Sequence, residues 1–132
     1  MIDKKYIIAK NEILGKALKT LELAIEKPFE NDLVRDGAIQ RFEYCFELAW
    51  KTVKLAIEYE DKEVNASPRF ILARGAVLKI LEDEKDWFRM LLERNNSTHT
   101  YKEEVALEIA SHLQLNFEVL KRLNDRISIR YQ

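Results

Sequence analysis

The sequence predicts an all-α protein: an antiparallel up-and-down four-helix bundle with one additional short helix. Three observations carry this expectation. The 132-residue chain holds 3 Gly and 2 Pro, too little turn material for a many-stranded sandwich or barrel. Hydrophobic residues make up 47% and charged residues 34%, a mixture that suits long amphipathic helices and is too apolar for disorder. Apolar residues recur three, four and seven positions apart along most of the chain. The length fits one helical domain spanning residues 1–132.

The first helix is predicted from about Asp3 to Lys27, with Ile7, Leu14, Leu18, Leu21 and Ile25 on one face. Pro28 and Asn31-Asp32 then punctuate the chain, and Asn31 or Asp32 can cap the next helix. The second helix, about Leu33 to Glu60, carries two apolar stripes. Ile39, Phe42, Phe46, Ala49, Val53 and Ala56 form one; Tyr44, Leu48, Leu55 and Tyr59 form the other. Glu43, Glu47, Lys51, Lys54 and Glu58 line the remaining side, with Glu47 and Lys51 in favourable i,i+4 order. So broad an apolar girth implies two buried faces, one of which could meet a partner chain.

A turn is expected between Asp61 and Asn65. Ser67-Pro68 is a helix start, with Ser as cap and Pro at the first helical position, and a third helix is predicted over Pro68 to Leu81. Glu82-Asp83-Glu84 breaks it. Asp83 or Asp86 then caps a short helix bearing Trp87, Met90 and Leu91, which ends near Arg94-Asn95-Asn96 because Asn tolerates a left-handed cap. Thr100 and Glu103 read as a capping box for a last helix from about Tyr101 to Ile127, with Ala106, Ile109, Leu113, Phe117, Leu120 and Ile127 inward.

Several functions are excluded. The longest uncharged run near the C-terminus, Ile109 to Phe117, is far below the roughly 20 residues of a membrane span. The apolar stretch at the N-terminus is too short for a signal peptide. Cys45 alone supports neither an internal disulfide nor a zinc site, so a cytoplasmic protein is expected. Gly15, Gly37 and Gly75 stand too far apart for a phosphate-cradling loop. No cofactor or metal is called for. A net charge of −1 gives no global attraction to nucleic acid, so such a contact would need a local patch.

One segment concentrates chemistry. Residues Leu92 to Tyr101 place two amides, three hydroxyls, a guanidinium, an imidazole and a phenol between two apolar helices. A helical break at the asparagines would let Arg94 and His99 converge. Arg94 offers a planar fork for phosphate, His99 a proton acceptor near neutrality, and a new helix start unpaired N–H groups. The same spacing equally describes a helix–helix turn with a cap and a surface histidine. Asn95 would help place a phosphate. Lys51, Lys54, Arg69 and Arg74 could line its path, or could simply be solvated. Lys121, Arg122, Arg126 and Arg130 make the C-terminal stretch locally basic.

Arg94-Asn-Asn-Ser-Thr-His99-Thr-Tyr101 resembles the Arg-x4-His-x-Tyr signature of the HEPN superfamily. More narrowly, Gln40 through Lys51, Ser67-Pro68-Arg69 and Trp87 resemble, in order, the nucleotidyltransferase substrate-binding protein family. The resemblance implies an all-α bundle that forms a homodimer and works with a separate minimal nucleotidyltransferase encoded nearby. It also implies the toxin half of a two-gene system, a metal-independent endoribonuclease acting on RNA. Arg94 and His99 would then be the catalytic pair, Asn95, Lys51 and Arg69 would bind phosphate, and Tyr101 would accept AMP. The alternative is a non-catalytic subunit that holds nucleotide or another substrate for the nucleotidyltransferase.

Overall fold

Side-chain caps set three of the helix starts. A computed structural model of the protein describes residues 3–61 and 67–132. In it Asp3 accepts the Lys5 N–H at 3.0 Å and opens α1 (Lys4–Ile25). Asn31 accepts the Val34 N–H at 2.9 Å and opens α2 (Asp32–Asp61). Ser67 accepts the Phe70 N–H at 3.1 Å, with Pro68 just inside, and opens α3 (Pro68–Val77). Each bond satisfies a donor that the helix itself leaves free. The chain continues through α4 (Glu84–Asn96), a 3₁₀ turn (Ser97–His99), α5 (Glu103–Ser111) and α6 (Leu113–Arg130). The described residues contain six α-helices and no strand. The turn expected at 61–65 falls largely outside the described residues.

The architecture is all-α, as expected, but it is not a four-helix bundle with one extra helix. The predicted last helix is two helices, because the chain bends at His112, where ψ is 0°. The capping box at Thr100 does not form. Lys102 occupies the cap position, and the Glu103 carboxylate bonds instead to the buried guanidinium of Arg35 at 2.7 Å. A charge-assisted bond to a buried cation outweighs a cap exposed to water. Asn96 keeps right-handed helical angles, so α4 runs on into the 3₁₀ turn. Asp83 stands at the start of α4 with φ of 58° and makes no side-chain cap bond; its carboxylate meets Arg122 at 3.2 Å.

α3 also stops before the expected Leu81, for a long-range reason. Lys79 adopts φ of 59°, the Ile80 N–H bonds back to the Gly75 carbonyl at 2.9 Å, and the Lys79 N–H bonds to Ala76 at 3.1 Å. This is a Schellman ending with lysine where glycine is usual. Guanidinium groups of α6 hold it: Arg130 donates to the Leu78 and Lys79 carbonyls, each at 3.1 Å, and Arg126 donates to the Lys79 and Ile80 carbonyls.

α2 touches every other helix. Its first stripe is the core: Ile39, Phe42, Phe46, Ala49, Val53 and Ala56 are all buried. The second stripe is only partly covered, with Leu48 and Leu55 half-buried and Tyr44 and Tyr59 exposed. Phe46 lies between Phe42 and Trp87 of α4, with ring centroids 6.2 and 6.1 Å away. Burying each such ring contributes about 1.5–3 kcal/mol. α1 packs antiparallel on α6, where Asn11 and Asn124 exchange amide bonds at 2.9 Å. At the C-terminal end of α2, Glu60 accepts from Nε and Nη2 of Arg130 and from the Tyr131 hydroxyl. The Arg130 bonds hold the Glu60 carboxyl below its ordinary range, against the opposite pull of burial.

Two substitutions test this packing. A Cβ on Gly75 would lie 2.8 Å from Val53 Cγ1 and 3.2 Å from Leu81 Cδ2. Gly75→Ala is therefore expected to cost about 1–3 kcal/mol, read as a lowered urea midpoint, because the α2–α3 contact must open. Glu60, with its folded value depressed, stabilises the protein above its ordinary pKa of 4.5 and loses that contribution as pH falls through the folded value. Glu60→Gln should be less stable than wild type by about 1–2 kcal/mol at neutral pH, and the gap should narrow in melts near pH 3.

Candidate functional site

Glu47 organises the polar face of α2. Helical spacing puts Glu43, Glu47, Trp50 and Lys51 on one side. Glu47 then forms ion pairs with Arg94 Nη2 at 2.8 Å and Lys51 Nζ at 3.7 Å and accepts a hydrogen bond from Trp50 Nε1 at 3.2 Å. Arg94 comes from the last turn of α4 and lies 5.9 Å over the Phe46 ring. Its Nε is buried and unpartnered. Glu43 is half-buried beside it. Burial raises the Glu43 carboxyl, while Ser97 and the charge of Arg94 pull it back down. The result is a guanidinium and an ammonium held at a carboxylate, edged by an indole.

The polar hinge forms, and its two main residues take different partners. Arg94 turns to Glu47, while His99 in the 3₁₀ turn faces Tyr101. His99 Nδ1 lies 3.2 Å from the Tyr101 hydroxyl, and the rings meet edge to face at 5.8 Å. No hydrogen bond joins Arg94 to His99. Tyr101 is 76% exposed, and Asn95 and His99 are exposed as well. The start of α5 is no anion site, since its first turn carries Glu103 and Glu104, which already answer the helix dipole. Lys51 belongs to the Glu47 cluster. Arg69 does not; it stacks 5.0 Å over Phe88 nearer the start of α4.

Three participants do not stand out in the sequence. Glu47 and Glu43 read there as part of the charged line of the second helix, and no spacing singles out Trp50. Their i,i+4 spacing is visible, but the arrival of Arg94 from another helix is not. A second network lies behind the hinge. Glu93 is buried, bonded to His112 Nδ1 and, at 2.9 Å, to Asn116 Nδ2; Asn116 Oδ1 accepts from Arg89 Nη2 at 2.8 Å. His112 is thus structural, at a bend between helices. Cys45 is buried among apolar residues, which pushes its thiol up to about 12 and leaves it inert at neutral pH. Among the described residues no cluster of three His, Cys, Asp or Glu could hold a metal, and no helix is long and apolar enough to cross a membrane.

The described residues form an all-α domain whose polar face gathers two cations and an indole at one carboxylate. Comparisons with known proteins give its family. The chain belongs to the family described as nucleotidyltransferase substrate binding protein like, which matches residues 10–129. The crystal structure of a Thermus thermophilus protein aligns with a TM-score of 0.81 at 28% identity, over 86% of this chain and 98% of that one. A Haemophilus influenzae structure, described as revealing the fold of a substrate binding domain of a nucleotidyltransferase, aligns with a TM-score of 0.71 over 96% of this chain and 99% of that one. At 19% identity this second likeness concerns the fold alone. None of the curated proteins compared with the chain matches it.

These findings correct the larger part of the functional expectation. The matching family is the nucleotidyltransferase substrate-binding one, and the HEPN placement is withdrawn. With it go the toxin role, the metal-independent endoribonuclease and the addition of AMP to Tyr101. In the structure Arg94 pairs with Glu47, and His99 lies against Tyr101.

Proposed function

We propose that the chain is a non-catalytic substrate-binding subunit that works with a nucleotidyltransferase. The family match over residues 10–129 is the observation that carries this reading. The polar face suggests how binding works. A phosphate-bearing ligand such as a nucleotide displaces Glu47 from Arg94 and Lys51, and the ligand's anionic oxygens take the carboxylate's place on the guanidinium fork. Trp50 keeps Glu47 nearby, so the exchange needs only a short side-chain movement. Asn95, His99 and the exposed ring of Tyr101 form the outer edge, where a base can stack on an aromatic face. Arg69 lies apart from this path and is assigned no ligand.

The partner nucleotidyltransferase, its encoding nearby, a homodimer and a cytoplasmic setting belong to the same proposal. The half-covered stripe of Tyr44, Leu48, Leu55 and Tyr59 supports the homodimer, because it is more apolar than a solvated helix face requires.

Calorimetry with ATP, alone and with the nucleotidyltransferase, tests the reading. Arg94→Ala should weaken nucleotide binding about tenfold or more, the loss of one charge-assisted contact. Glu47→Gln should strengthen it several-fold, because the competing carboxylate is removed. Equal affinities in wild type, Arg94→Ala and Glu47→Gln would refute this site.

A further inference from the structure

We propose that Glu93 and His112 are positioning residues, which fix the bearing of α5 and so hold the Tyr101 ring against His99. The proposal rests on the reading of residues 94–101 as part of the ligand edge. Glu93 and Arg94 are chain neighbours in the last turn of α4, and successive helical residues point about 100° apart. Arg94 therefore reaches outward to Glu47, while Glu93 turns inward and is only 6% exposed. A buried carboxylate needs a partner on each oxygen. Oε2 of Glu93 meets the His112 ring, and Oε1 meets Asn116. Asn116 is held in turn by Arg89, and Arg89 by Asp86 one turn earlier.

The location of this contact gives it leverage. His112 is the residue at which α5 stops and α6 begins, so the bond to Glu93 is made at the bend itself. The apolar face of α5 is small: Ala106 and Ile109 are buried, and Val105 and Ala110 are half-buried against the core. The helix is 9 residues long. So short a helix, with so small an apolar face, is not oriented by burial alone. It is tied at one end by Glu103 to Arg35 and at the other by His112 to Glu93. The segment carrying His99 and Tyr101 spans the gap between α4 and α5. When the second tie is cut, α5 turns about the first, and Tyr101, on the other side of that tie, swings away from the His99 ring.

The test uses the full chain without partner or ligand. The sequence holds 2 histidines, so any His112 variant leaves a single imidazole signal in the NMR spectrum, that of His99. His112→Leu removes the tie. His112→Asn keeps an amide N–H close to the position of Nδ1. In His112→Leu, the His99 ring protons should shift toward free imidazole as the Tyr101 ring leaves. Amide exchange across residues 103–111 should accelerate about tenfold or more, with α1 and the middle of α2 unchanged. His112→Asn should restore both signals toward wild type. Glu93→Gln, which weakens the same contact without removing bulk, should show the same changes at smaller amplitude and serves where His112→Leu does not fold. Wild-type His99 shifts and wild-type α5 exchange in a folded variant would overturn the proposal. So would changes in α5 exchange that leave the His99 signal in place. Both readouts concern the chain alone, so they decide this proposal separately from the nucleotide-binding measurements.

Discussion

The burial of the inward stripe of α2 is the constraint on which the rest of the structure depends. A 30-residue helix with apolar side chains over so much of its circumference cannot sit at a surface. The other helices are arranged to cover it, and each meets it with a different part of its length. Besides the half-covered stripe, the surface left to it includes the polar line of Glu43, Glu47 and Lys51, to which α4 brings Arg94. The same helix thus supplies most of the core and one wall of the candidate site. Tight packing at Phe42, Phe46 and Trp87 keeps that wall in register with its cation.

Local features of the sequence are sufficient for the elements that depend on local physics. The caps at Asn31 and Ser67, the extent of α1 and α2, the inward stripe of α2 and the Glu47–Lys51 pair are all set by residues a few positions apart. The features that escape depend on residues far apart in the chain. Nothing near Lys79 announces a left-handed ending, because the groups that stabilise it are Arg126 and Arg130 on another helix. The bend at His112 has the same character. By pattern, residues 101–127 are one amphipathic helix; only the buried carboxylate of Glu93 explains why the helix is interrupted there. Local spacing pairs Glu103 with the nearest hydroxyl, whereas the structure gives it to a guanidinium 68 positions away.

The candidate site is legible in outline and not in its pairings. The concentration of polar groups between Leu92 and Tyr101 marks the place. The partners of those groups decide the chemistry, however, and partners are a property of the fold. A guanidinium five positions from an imidazole can form a reactive pair or two independent contacts. Here Phe46 and Glu47 draw the guanidinium one way while Tyr101 holds the imidazole the other.

The C-terminal helix shows how misleading a tally of charge can be. Lys121, Arg122, Arg126 and Arg130 look, in the linear chain, like bait for a polyanion. In the folded protein each faces an acidic side chain: Asp125, Asp83, Glu82 and Glu60 in turn. Two of them also draw the frayed carbonyls of α3 inward. The stretch is therefore electrostatically spoken for. Its cations act as rivets between helices, and the outward field they project is a fraction of what their number suggests.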